Sequence, residues 1–504
     1  MESLNVEKAM PSEFRENASA LLRLSLSLVV QSLSGFGVGM STFIWVGSLG
    51  PLLAGSMTLG NMYCNISGFS LIYGCATALD ALCAQSFGAK QYRQLGLHTQ
   101  RAILILTVLS IPVIFLWAYA ETLLHNVLFI PKDIAHHSGR WSRTLSAGLW
   151  PLLTFVCLQK WMQARNIIWP AVLTTSIGLV FNLSANYYNY RIYHGGFDGA
   201  ALIVPLQNWL HLFVYLAILI VRKRVVRARA GRQREAAYDK LPSESTHGHG
   251  GDTEAPFTEK KEASPAPDEP EPDPEDDWPP LTMAVFDDWL PFLKLGVPGA
   301  LSLFVEWGSF ELAASIAGQL GAVGLAAHGV FMSTSGLFYM LPLSIAQATT
   351  TVAGHVIGAG KAEQARSIIA LGIAMDTIYG IAASATLLFI LRPFWGNIFT
   401  SDQATRDLVY ATMPFMSLYS LVDATKCITL NILRSGGLPN ITVSVNFVVC
   451  SLVMTPMGYY LAISRHDGLG GLWLSMSVAW GLATVAYGVI LSRLDLRSLK
   501  VIAD

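Results

Sequence analysis

The chain has 504 residues, of which 52% are apolar and only 13% charged. Its mean hydropathy is +0.45. Soluble domains carry about 25% charged residues, so this composition excludes an ordinary soluble enzyme and points to a multi-span membrane protein. A formal net charge of -1 excludes a basic surface for nucleic acid.

The amino-terminal stretch MESLNVEKAMPSEFREN is polar and charged and has no signal-peptide pattern, so the first apolar span is expected to direct insertion. Apolar runs then follow at 22–46, 54–84, 98–120, 143–163, 167–190 and 199–221, and after a long gap at 290–320, 323–353, 364–391, 405–432, 438–462 and 469–492. Each is long enough to cross a bilayer as a helix, for which about 20 residues suffice. They are too continuous for barrel strands. The expected fold is an all-α membrane protein, with twelve transmembrane helices in two six-helix lobes. Residues 1–21 form a tail, 22–221 the N-lobe, 222–288 a linker, 289–493 the C-lobe and 494–504 a second tail.

Lys and Arg cluster after the second, fourth, sixth, eighth and tenth spans, and most densely in the run RKRVVRARAGRQR that follows Val221. By the positive-inside rule both tails and the linker face the cytosol. The basic run lies against the membrane and is expected to meet anionic headgroups. The linker then turns acidic and Pro-rich and cannot bury a core, so it is expected to be disordered. His247 and His249 within it are read as solvated. The six cysteines, Cys64, Cys75, Cys83, Cys157, Cys427 and Cys450, lie in apolar runs without metal-ligand spacing and read as small buried hydrophobes.

The two halves repeat. Gln85-Ser-Phe-Gly88-Ala-Lys90 answers His355-Val-Ile-Gly358-Ala-Gly-Lys361, Gly47-Ser-Leu-Gly50 answers Gly318-Gln-Leu-Gly321, and Arg165 with Pro170 answers Arg434 with Pro439, at offsets of 269 to 271 residues. An even number of spans per half makes this a parallel repeat about an axis along the membrane normal. That arrangement places a substrate site between the two lobes near the midplane.

Glu306 and Glu311 lie deep in the seventh span. A carboxyl group there costs roughly 2.5 kcal/mol or more unless it meets water or a partner, so such an acid is first read as functional. Five residues of helix separate the two by about 140° around the axis, which predicts unequal roles. Asp376, in the ninth span, is either a further proton site or a local polar contact. Trp307, Phe310, Tyr339 and Tyr63 offer ring faces to a cation. Asp80 is expected to brace the turn at Gly88. No Walker-type phosphate loop occurs, and no nucleophile–base set points to an enzyme.

Several stretches resemble the multidrug and toxic compound extrusion (MATE) family in its eukaryotic-type branch. They are Leu79-Asp80-Ala-Leu-Cys83-Ala-Gln85-Ser-Phe-Gly88, Glu306-Trp307-Gly-Ser-Phe-Glu311, Tyr339-Met340-Leu-Pro342, Val356-Ile-Gly358-Ala-Gly360 and Leu433-Arg434-Ser-Gly436-Gly437. The resemblance implies alternating access and export of organic, often cationic, compounds against H+ or Na+, without other cofactors. It places Glu306 and Glu311 at the family's acidic pair and Asp423 at its acid in the tenth helix. All three are then expected to bind cargo or protons. Three departures stand out. Ser333 replaces a glutamate found in animal members. The first span offers only Gln31 as a large polar residue. The fifth keeps Asn182 and Asn186, which do not ionise. Coupling is therefore expected in the C-lobe, with H+ favoured over Na+. Lys426, three residues after Asp423 on the same helical face, is placed to cancel its charge and admit an anionic or zwitterionic cargo. The reading is a monomeric antiporter for small organic cations in the plasma or a vacuolar or lysosomal membrane. A flippase-type exporter of lipid-linked, amphiphilic or anionic compounds is the alternative.

Overall fold

The computed structural model describes residues 12–238, 278–280 and 282–495. The tract with His247 and His249, most of the acidic half of the linker and the outer parts of both tails lie outside the described residues. Among the described residues there is no strand and there are twelve long helices. They are α1 (Ser12–Gly47), α2 (Pro51–Gly88), α3 (Tyr92–Ala118), α4 (132–164), α5 (169–193), α6 (Gly196–Tyr238), α7 (Trp289–Gln319), α8 (Gly321–Gly358), α9 (Ala362–Leu391), α10 (Gln403–Ser435), α11 (Pro439–Ser464) and α12 (Gly468–Arg493). Nine of these described helices are long and apolar enough to cross a membrane by composition alone. The other three, α4, α5 and α10, have the length but are more polar. α4 opens on Lys132–Leu145, and α10 carries Asp423, Lys426 and Arg434. Large apolar side chains such as Ile44, Phe115, Val180, Phe213, Phe389 and Val485 are exposed on the outer surface, as a lipid-facing bundle requires.

Some boundaries differ from the sequence reading. The first helix begins at Ser12 rather than 22, because Leu21, Leu24 and Leu28 bury one helical stripe. α4 begins at Lys132, well before 143. α6 runs on to Tyr238, through the basic segment taken as the start of the linker; Arg, Lys and Ala there are strong helix formers. The end of the linker is also ordered, as a strap on the N-lobe. Trp278 packs edge-on to Trp161 with ring centroids 5.1 Å apart, Gln100 donates to the Pro279 carbonyl at 2.8 Å, and Arg101 donates to the Ala284 carbonyl at 3.1 Å. All six cysteines are buried and free.

The lobes meet according to the repeat. α1 packs on α8 and α2 on α7, pairs that exchange when the halves are exchanged, and α2 packs on α8. At the linker-side ends of α2 and α8 the backbones nearly touch. A Cβ added at Gly88 would run into the backbone of His355, and one at Gly358 into that of Gln85. These are the same contact seen from each half. A Cβ at Gly354 would lie 2.7 Å from that of Ala84, the residue 270 positions earlier, so the pseudo-two-fold axis passes between them. The His355 ring meets the Ala164 carbonyl oxygen at 2.6 Å, and Gln163 donates to Thr351 Oγ1 at 3.2 Å. Towards the opposite side, Ser32 and Ser344 meet at 3.1 Å, Phe36 covers Gly336, and Tyr73 meets Trp307 with centroids 6.3 Å apart. Beyond that depth no hydrogen bond or ring contact joins the lobes among the described residues. The lobes are held together on the linker side, and their polar and ring contacts end near mid-depth.

The self-facing pair provides a check. With the native cysteines replaced, a chain carrying Ala84→Cys and Gly354→Cys should form an intramolecular disulfide on mild oxidation, seen as a shift on non-reducing gels. Absence of the cross-link under all conditions would contradict this closure.

Candidate functional site

α8 and α10 bound the C-lobe pocket, and a proline in each explains their local shape. Pro342 has no N–H, so the carbonyl of Phe338, four residues earlier, lacks its helical donor. The Tyr379 hydroxyl on α9 donates to it at 2.9 Å. In the same way Arg392 donates to the Tyr410 carbonyl freed by Pro414 at 3.1 Å, and the Trp209 indole to the Ala147 carbonyl freed by Pro151 at 3.1 Å. Buried carbonyls without partners are costly in hydrocarbon, and here side chains from neighbouring helices satisfy them.

Between α8 and α10 lies a small pocket. Ser335, Phe338, Tyr339 and Pro342 line it from α8, and Met416, Tyr419, Ser420, Asp423 and Ala424 from α10. Asp423 is only 6% exposed. Among the described residues no hydrogen bond or ion pair engages its carboxylate. The pocket therefore offers a carboxylate, two tyrosines and a phenylalanine. The sequence reading missed Tyr419, Ser420 and Met416, although they follow from Asp423 by helical spacing, at four, three and seven residues before it. Trp480 had no such signal, being on a different helix.

Lys426 does not pair with Asp423. Its Nζ donates to Glu306 Oε1 in a short ion pair, and its ammonium lies over the Trp480 ring, 4.1 Å from the centroid. Lys426 is fully buried and Glu306 only 5% exposed. The direct ion pair expected with Asp423 is made with Glu306 instead, because the lysine stem reaches across to α7 and places its ammonium between a carboxylate and an indole face, and Asp423 feels that ammonium only at longer range. Removing one partner of such a buried pair typically costs about 3–5 kcal/mol. Below this pair α7 is clamped to the other C-lobe helices. Ser302, one turn from Glu306, accepts from Arg434 at 3.2 Å and from Asn446 at 2.9 Å, and Tyr487 donates to Asn446 Oδ1 at 2.6 Å.

Glu311 has different surroundings from Glu306. It shares a helix face with Trp307, four residues before it, and Trp307 faces Tyr73 of the other lobe. Half-buried and without a hydrogen bond or ion pair among the described residues, Glu311 lies one turn further towards the far side. Asp376 is fully buried on the face of α9 that carries Gly372 and Gly380, which pack on Thr349 and Ile428 and on Leu421 and Ala424. Neither of its carboxylate oxygens has a partner among the described residues.

Two of the N-lobe candidates, Asn182 and Asn186, share an amide network. Asn182 donates to Gln207 at 2.8 Å and to Thr42 at 3.2 Å, and Asn186 donates to Asn182 at 3.0 Å. The first two join α5 to α6 and to α1, the third lies within α5, and Asn186 Oδ1 is left without a partner among the described residues. Gln31 is half-buried, and its Oε1 has no partner. Asp80 pairs with Lys160 of α4 at 2.8 Å, so it ties α2 to α4 and does not brace the Gly88 turn directly.

The MatE family profile matches residues 27–188 and 298–460, one stretch in each lobe. Protein DETOXIFICATION 16 of Arabidopsis thaliana is 27% identical over 490 residues, which covers 95% of this chain and 88% of that protein. Multidrug and toxin extrusion protein 2 of Oryctolagus cuniculus is 27% identical over 97% of this chain and 73% of its own length. The crystal structure of the eukaryotic MATE transporter AtDTX14 superposes with a TM-score of 0.79 at 23% identity, over 97% of this chain and 98% of that one. A multidrug resistance MATE transporter described as outward-facing gives 0.76 at 16% identity, over 95% and 96%. These superpositions show the twelve-helix, two-lobe fold.

Replacing Tyr379 with Phe leaves the Phe338 carbonyl without its donor. The variant should lose about 1 kcal/mol of stability, read as a lower melting temperature in detergent. An unchanged melting temperature would show that the carbonyl finds another partner.

Proposed function

The chain belongs to the MatE family of membrane transporters, and from that premise we propose that it exports small organic cations in exchange for protons at Asp423. The pocket around Asp423 is the observation that carries this reading. It offers one carboxylate without a partner among aromatic rings, at mid-depth in the C-lobe. A carboxylate can hold a proton or a cation but not both, and that competition is exchange. Tyr339, Tyr419 and Phe338 supply ring faces that favour an organic cation over a hydrated one.

With the linker side in the cytosol, as the Lys and Arg distribution indicates, the closed linker side makes this the outward-facing state. Cargo leaves Asp423 towards the far side as a proton arrives. Glu311, nearer the far-side end of α7 than Glu306, is the first α7 carboxyl that the proton meets. Asp376 takes a proton and no cargo, since both its oxygens are buried on a glycine-lined helix contact with no room for an organic ion. Protons are favoured over Na+ because Asp423 has a single carboxylate among rings, where sodium needs a cage of oxygens. Location in the plasma membrane or a vacuolar or lysosomal membrane suits either use of an acidic exterior. The sequestration of Lys426 away from the pocket favours cations over an anionic or lipid-linked cargo.

The test is uptake of a fluorescent cation into inverted vesicles, driven by a pH gradient. Asp423→Asn should lower the rate by about ten- to a hundredfold, the range for loss of one charge-assisted contact. Uptake at the wild-type rate would remove Asp423 from the exchange.

A further inference from the structure

The pair formed by Lys426 and Glu306 lies beside the exchange pocket without being part of it. Lys426 sits on the same helical face as Asp423, three residues on. With Glu306 absent, Asp423 is the carboxylate on its own helix within reach of that ammonium. Two groups contact the ammonium, Glu306 from α7 and Trp480 from α12, and Asp423 of α10 acts on it only at longer range. Trp480 is in turn fixed by its indole N–H, which donates to the Tyr419 hydroxyl at 3.1 Å, and Tyr419 lines the pocket. The carboxylate–indole site is therefore the kind of place that binds an organic cation, and the chain's own lysine occupies it.

We propose that Glu306 is a positioning residue that holds Lys426 off Asp423, so that the pocket presents one free negative charge and the cargo is limited to one positive charge. The charge count is simple. Glu306 and Lys426 cancel, and Asp423 remains. Without Glu306 the lysine swings to Asp423 and becomes a tethered competitor of the cargo. Without Lys426 a second carboxylate and the Trp480 face are released, and an organic dication can be held. This deepens the function proposed above and rests on Asp423 being the exchange carboxylate.

The experiment compares purified, monodisperse proteins in liposomes with an imposed pH gradient. The probes are tetraethylammonium as monocation and methyl viologen as dication, and rates are expressed per folded molecule. Asp423→Asn tests the underlying reading alone. Glu306→Gln should lose at least about tenfold in tetraethylammonium transport, mainly through KM, because the competitor is internal. The double variant Glu306→Gln with Lys426→Met should return to within about threefold of wild type. Lys426→Met alone should raise the ratio of dication to monocation transport by at least about tenfold, and the double variant should restore the wild-type ratio.

If Asp423→Asn abolishes transport and the double variant is also inactive, Glu306 itself carries cargo or proton and the proposal fails while the antiport reading stands. If Asp423→Asn transports normally, the antiport reading fails. A merely structural pair would alter the yield of folded protein but leave transport per folded molecule and charge preference unchanged, which also overturns the proposal. The double variant is a neutral pair of similar volume, so its failure to fold counts against a role limited to holding. Where Glu306→Gln alone cannot be purified, the double variant and Lys426→Met decide the matter.

Discussion

A charge inside hydrocarbon must be paired, solvated or neutralised, and the C-lobe acids meet that constraint in four different ways. Glu306 is paired with Lys426 over Trp480. Asp423 faces a pocket. Glu311 sits half-buried on α7. Asp376 is enclosed with neither oxygen bonded among the described residues. Four similar side chains thus sit in four separate environments. The helix packing around them, from the proline-freed carbonyls to the Ser302 clamp, serves to keep the environments distinct.

The repeat sharpens the point. Shifted by the offsets that align the halves, Glu306 and Glu311 fall on Gly35 and Met40, Asp376 on Leu106, Asp423 on Thr154 and Lys426 on Cys157. One lobe carries the titratable chemistry, while its twin has an amide network that links α1, α5 and α6. The symmetry survives where it is mechanical, at the reciprocal approach of Gly88 to His355 and of Gly358 to Gln85. The scaffold is shared by both halves, and the acids lie in one of them.

Much of this was legible in the residues. Spanning runs, the break between the halves and the shift between repeats follow from hydropathy and turn chemistry, because the bilayer admits few solutions. The depth of Glu306, Glu311 and Asp423 marked them as candidates for the same reason. Lys426 was misassigned, since spacing along one helix ranks Asp423 as its neighbour, whereas the pairing depends on how α7 lies against α10. Trp480 was invisible for that reason too. The helical start of the linker was obscured by its charge, which argues for solvent but not against helix, and α1 began earlier than its apolar run because a buried stripe needs only every third or fourth residue.

The central claim is that cargo and proton compete for one carboxylate. The most direct measurement is proton release from detergent-solubilised protein in weak buffer as an organic monocation is added, at a pH where the empty site is protonated. The account predicts release of about one proton per cation bound, by linkage, and none from Asp423→Asn. Cation binding without proton release, or equal release from that variant, would contradict it.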